Sequence, residues 1–387
     1  MNLPELIALD DYRAPAMPTD RVLRSAWTRL KQRFSGDDDP LLPPTGLEGA
    51  TLALIDELGK RPDCDPMLQA LDKEFGAWSL ETGALPRLRT LVMPPCDDAG
   101  TLEVWARMHG HAVLREPERI TLIGPAAAST RPDLDGEGLL VIPRLEHWFL
   151  RERKGLHAVR SLLARLARTG RRCLVGCDSW AWRYLVKSAG ADLALPRPQC
   201  FEPFDARRLL DWFTALACDG GGVTATYRLT RNGDDVLAVD DDGQPRHAQL
   251  RHIAARSAGI PWVALHLWQA GLKVSAGEEP LTERAARATA GDARTVWVVD
   301  IDDARLPPSH EDRVLLVLQA LLIHGALTPA ELDAVLPTIG EPEVLAALVA
   351  TGHLRRDRDD ERLRVRPSAY PAVRQALQAA GFPTGAI

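Results

Sequence analysis

The chain has 387 residues, 45% apolar and 26% charged, enough to bury the cores of two or three ordinary domains. Its net charge of −6 argues against a whole-chain nucleic-acid binder, while leaving room for a local basic face. The six cysteines are dispersed and form no CxxC, so no spacing supports zinc or a redox pair.

The first residues, MNLPELIALDDYRAP, carry acids where a secretory signal needs bases. The greasiest stretch, Val314 to Leu327, is broken by Gln319, His324 and Gly325 and is too short to span a bilayer. No membrane insertion is expected. Dispersed thiols fit a reducing compartment, and the expectation is a cytoplasmic protein.

Residues 1–45 read as an arm and linker, with one short basic helix over Val22 to Phe34 before FSGDDDPLLPP. Residues 46–60 and 66–79 place apolar side chains at helical spacing (Leu52, Leu54, Ile55, Leu58; Leu68, Leu71, Phe75, Trp78). From Leu88 the pattern alternates between short apolar runs and amphipathic stretches. LRTLVMPP, HAVL, RITLIG, GLLVIP and RRCLVGC read as strands. TLEVWARMHG, Leu156 to Ala167, WAWRYLVKSAG and DARRLLDWFTAL read as helices. Strands apolar on both faces, alternating with helices, predict an α/β fold with a helix-flanked parallel sheet over 46–206.

Residues 207–305 break that rhythm. A β-hairpin over 219–245 turns at Asn232-Gly233. Two helices, split by Gly259 and Pro261, and a strand, TVWVVDI, follow. The last segment, 306–387, has three short helices, the second opened by the capping box Thr328-Pro329-Ala330-Glu331. A β-wing at HLRRDRDD–ERLRVRP and a final helix complete a winged-helix layout.

This order of parts resembles the AAA+ and STAND ATPases, especially the origin-recognition type: a P-loop core, a small lid with a hairpin insertion, and a winged helix. The resemblance implies a phosphate-gripping loop after the first strand, ending in Gly-Lys-Ser/Thr. The matching place here is Met93-Pro94-Pro95-Cys96-Asp97-Asp98-Ala99-Gly100-Thr101, which lacks the lysine and adds two acids. Pro95, Asp97, Asp98 and Thr101 would be its vestigial nucleotide loop. The strand that should end in Asp-Glu for Mg²⁺ ends in Pro143-Arg144-Leu145-Glu146, leaving Glu146 as the candidate. The polar position after the fourth strand falls at Asp178 or Ser179, and the lid turn Ser257–Trp262 lacks its arginine. Four positions failing together predict a core that kept its packing and lost hydrolysis. No cofactor is expected, with weak ATP or ADP binding left open.

Other constellations are bland. Val298 to Asp303 reads as a strand end with solvated acids, and Cys173 and Cys177 as packing. The ten histidines show no metal spacing, and no G-x-S-x-G elbow occurs. The tryptophans read as core, with a few plugging the vacated nucleotide pocket. Two basic surfaces stand out as partner or nucleic-acid contacts. Arg151, Arg153 and Lys154 form one; the wing's Arg355, Arg356, Arg358, Arg362 and Arg364 form the other. Base readout by the third helix, Glu341 to Thr351, is disfavoured because it carries no basic residue. Residues 310–387 hold eight arginines against ten acids. A non-hydrolysing scaffold or adapter, working through a protein partner or a second copy, is the leading expectation. A DNA-binding regulator and an ATPase with a shared or non-standard site are the alternatives.

Overall fold

The computed structural model describes residues 3–18, 47–49, 65–81, 86–124, 132–218, 225–275, 294–299, 311–337, 342–357, 360–385 and 387. The chain divides into two compact units. The larger joins Leu3–Arg13, Pro66–Glu202 and Asp303–Ile387; the smaller joins Met1–Asn2, Ala14–Asp65 and Pro203–Asp302. The expected helix over Val22 to Phe34, and most of that over 46–60, lie outside the described residues.

The larger unit is built on a six-stranded sheet. Its spatial order is Leu6–Ala8, Gln199–Phe201, Leu88–Met93, Cys173–Asp178, Leu140–Ile142, Ala112–Val113. All neighbours are parallel except Leu6–Ala8, which runs antiparallel along the edge at Gln199–Phe201. Numbered along the chain, the five parallel strands stand 5-1-4-3-2. The chain leaves strand 1 for one edge of the sheet and returns past it to strand 5. Such a reversal opens a crevice at the carboxyl ends of the central strands. Leu91, Val92, Val141, Ile142, Leu174 and Val175 are fully buried, as a sheet covered on both faces requires.

Helices flank this sheet. Thr101–Met108, His157–Leu166 and Ser179–Ala189 each bury one apolar stripe. Gly176, in the middle of a strand, has a packing cause: a Cβ there would lie 2.5 Å from Leu102 Cδ2 and 2.4 Å from the Pro143 carbonyl oxygen. Glycine thus lets the Thr101–Met108 helix sit tightly on the sheet.

Three elements differ from expectation. RITLIG is a 3₁₀ turn, Arg119–Ile123, because Arg119 is buried at 2% exposure and its guanidinium donates to the carbonyls of His324 (3.0 Å) and Ala326. Leu47–Gly49, read as helical, is a strand paired antiparallel with Leu272–Ser275; tertiary pairing overrides a weak periodicity. The expected 219–245 hairpin reduces to the strand Ala225–Leu229, a turn with Gly233 at φ +74°, and isolated bridges.

In the smaller unit the strands stand in the order Leu47–Gly49, Leu272–Ser275, Arg294–Val298, Ala225–Leu229. The helices Ala206–Cys218, Ala248–Arg256 and Pro261–Ala270 carry its aromatic core. Trp212 meets Trp262 edge to face at 6.1 Å, and Phe213 stacks on Trp268 at 5.0 Å.

The C-terminal part of the larger unit has the helices Glu311–His324, Pro329–Val335, Pro342–Ala350 and Tyr370–Ala379, with an antiparallel hairpin, Leu354–Arg356 and Leu363–Val365. The capping box is complete: Glu331 N–H donates to Thr328 Oγ1 at 3.2 Å, and Thr328 N–H to Glu331 Oε2 at 2.9 Å. This segment is tied to the sheet by the Arg119 bonds and by Trp180 Nε1–H donating to Tyr370 Oη at 3.1 Å. No described helix is long and apolar enough to cross a membrane.

Candidate functional site

The carboxyl ends of Leu88–Met93, Leu140–Ile142 and Cys173–Asp178 open into a small cleft of about 40 Å³. Its walls include Cys96, Asp97, Asp98, Glu103, Arg144, Glu146, Asp178 and Arg364. Sequence-predicted Asp97, Asp98, Glu146 and Asp178 thus share one cavity. Pro95 and Thr101 are buried beside it.

The loop between strand and helix is held in an unusual backbone. Cys96 takes φ +68° and Gly100 φ +66°. At Gly100 only glycine adopts that angle without strain, and a Cβ would lie 3.5 Å from Arg144 Nη2. The turn brings the Asp97 carboxylate back over the helix start. Thr101 N–H donates to Asp97 Oδ2 at 2.9 Å, and the Thr101 hydroxyl to Asp97 Oδ1 at 3.0 Å. Exposed N–H groups at a helix start favour an anion; here the chain supplies its own.

Arg144, which no local pattern singles out, is the loop's cation. Its Nη2 donates to the Asp97 carbonyl oxygen at 2.9 Å. Burial works against its charge, but Asp97, Glu146 and Glu116 more than offset that and its pKa rises. Burial pushes the Asp97 carboxyl up, against Arg144 and the two Thr101 bonds, which pull it down.

The second helix start is built differently. Asp178 ends its strand and accepts from Trp180 N–H at 2.8 Å, capping Ser179–Ala189. Its own N–H donates to Glu146 Oε2 at 3.0 Å. Both side chains are buried, Glu146 at 4% and Asp178 at 9% exposure. Burial, and then the Glu146 charge, hold the Asp178 carboxyl well above the ordinary carboxylate range. Cys96 is a weak nucleophile here: burial, with Asp98 and Asp178 adding to it, pushes its thiol well up. Among the described residues no group of three or more His, Cys, Asp or Glu is placed to hold a metal ion.

The hairpin arginines go to carboxylates. Arg355 Nη2 reaches Asp98 Oδ1 at 2.8 Å, and Arg364 Nη1 the same oxygen at 4.0 Å. Asp357 faces both, 3.7 Å from Arg355 Nε and 2.6 Å from Arg364 Nε. Arg362 pairs with buried Glu331 at 3.0 Å and with Asp360 at 3.0 Å, and Arg356 with Glu361 at 3.2 Å. Arg358 lies outside the described residues. Arg119 joins Glu331 from the other side at 3.7 Å, and burial lowers its pKa to about 10.

The Arg151 patch is divided. Arg151 donates to Gln319 Oε1 at 3.0 Å, and its backbone N–H to His324 Nε2 at 3.3 Å, so it is an internal tie. Arg153 and Lys154 are exposed. The idea of tryptophans plugging the nucleotide pocket is corrected: Trp148, Trp180, Trp182, Trp212, Trp262 and Trp268 are buried, but among the described residues no tryptophan lines the cleft. The cleft is narrowed instead by its own acids, Arg144 and the hairpin.

Chemically, the cleft offers self-satisfied anion donors and an excess of carboxylates. No family model matches the chain, and no curated protein matches it. Among solved structures, it is similar to Cdc6p from Pyrobaculum aerophilum, with 13% identity over 84% of this chain and 96% of that one, at a TM-score of 0.27. It is also similar to Drosophila ORC bound to DNA, with 14% identity over 94% of this chain and 100% of that one, at a TM-score of 0.28. Both TM-scores lie below 0.5, where two chains need not share one fold, so the chemistry of the cleft stands on its own residues.

Proposed function

We propose that this chain is a non-hydrolysing, P-loop-like scaffold or adapter subunit that acts through protein contacts, with a partner or a second copy. In this reading residues 46–206 are the degenerate core, 207–305 a lid-like region, and 306–387 a winged helix. One observation carries it: the Asp97 carboxylate accepts from both the N–H and the hydroxyl of Thr101. In a nucleotide-binding loop those two groups would face phosphate and Mg²⁺. Asp98 and Glu146 add charge of the wrong sign around the same space.

DNA binding through the hairpin is disfavoured, because Arg355, Arg356, Arg362 and Arg364 each already face a carboxylate. A shared-site ATPase would first have to pull Asp97 off Thr101. Calorimetric titration with Mg·ATP, together with a turnover assay, tests the proposal. The expected result is no saturable heat and no ATP hydrolysis above a heat-denatured control. Tight binding with turnover that Glu146→Gln abolishes would contradict it.

A further inference from the structure

Arg355 and Arg364 are direct cross-strand partners in the hairpin. Like charges placed opposite one another destabilise a strand pair unless anions lie between them. The hairpin supplies one, Asp357, which accepts from Arg364 Nε at 2.6 Å and lies 3.7 Å from Arg355 Nε. The other comes from more than 250 residues away: Asp98, on whose Oδ1 both guanidiniums converge. The far strand has a separate anchor. Leu327 and Leu363 exchange backbone hydrogen bonds of 3.1 and 2.8 Å.

We infer that the hairpin and the loop form an electrostatic latch, in which Asp98 stands in for an external oxyanion and holds the Arg355 strand shut against the cleft. The Leu327–Leu363 bonds keep the hairpin attached when the latch opens, so release bares the loop without unfolding the segment. Asp98 and Arg355 are each about one-third exposed, so salt reaches the pair and weakens it. The latch goes beyond the scaffold reading and holds whether or not nucleotide binds.

Cys96, which lines the cleft next to Asp98, reports on the latch. Its alkylation by iodoacetamide, resolved by peptide mass spectrometry, is compared between wild type and Arg355→Gln/Arg364→Gln. Removing two cations would by itself raise the thiol pKa and slow the reaction, since Arg355 pulls that pKa down. Latch opening acts in the opposite sense. The expected result is alkylation faster by on the order of fivefold, the size that partly exposed ion pairs supply, with an unchanged far-UV circular dichroism spectrum. Wild type should also react faster as chloride is raised at constant pH. Slower or unchanged alkylation in the folded variant would overturn the latch. If the variant does not fold, a salt-independent wild-type rate would do the same.

Discussion

Two helix starts on the same sheet edge, Thr101 and Ser179, are each capped by an aspartate, yet the two caps are under different electrical loads. Asp97 has Arg144 at its back and two donors in front. Asp178 has Glu146 as its neighbour, and one of the donors near that pair is its own N–H. The first is pushed up by burial and pulled back by Arg144 and the Thr101 bonds. The second is kept above the ordinary carboxylate range by burial and by Glu146. Arg144 pulls both carboxyls down; what differs is that Asp97 also accepts from the two Thr101 donors while Asp178 faces the Glu146 charge.

Removing that cation should do most. Arg144→Met leaves Asp97 and Glu146 without it and should cost about 2–3 kcal/mol in urea unfolding. Asp97→Ala should cost about 1–2 kcal/mol, the range for a lost helix cap, and should loosen amide exchange at Thr101 first. Asp178→Asn runs the other way. An amide oxygen still caps Trp180 while the buried titrating group facing Glu146 is gone. In wild type the folded state holds a proton that the unfolded chain releases near pH 4, so stability falls as pH rises through the window above that value. The variant should be about 1 kcal/mol more stable at pH 8, with a flatter slope between pH 5 and pH 8. Arg153→Ala with Lys154→Ala, at exposed positions, should stay within about 0.5 kcal/mol of wild type.

Much of this architecture was legible in the sequence. The continuous apolar run GLLVIP and the run CLVGC predict strands buried on both faces of a parallel sheet. The Thr328–Glu331 capping box is a local rule and behaves as one. The short strands Leu6–Ala8 and Gln199–Phe201 were not legible: three residues cannot express a period, and their pairing is purely tertiary. The Arg119 turn was misread because its string is apolar enough for a strand; the cause of the turn lies more than 200 residues along the chain. The site divides in the same way. Asp97 and Asp98 announce a poor phosphate loop by charge alone. That Asp97 caps Thr101, that Arg144 supports it, and that Arg355 reaches Asp98 depend on φ angles and long-range packing that no local pattern encodes.

The occupancy of the Thr101 N–H by Asp97 can be watched directly. In protein labelled with ¹⁵N-threonine, the Thr101 amide resonance should stay fixed when Mg·ATP is added in large excess and should shift strongly in Asp97→Ala. A saturable, nucleotide-dependent shift of that resonance in wild type would mean that phosphate displaces Asp97, and the self-occupied helix start would be wrong.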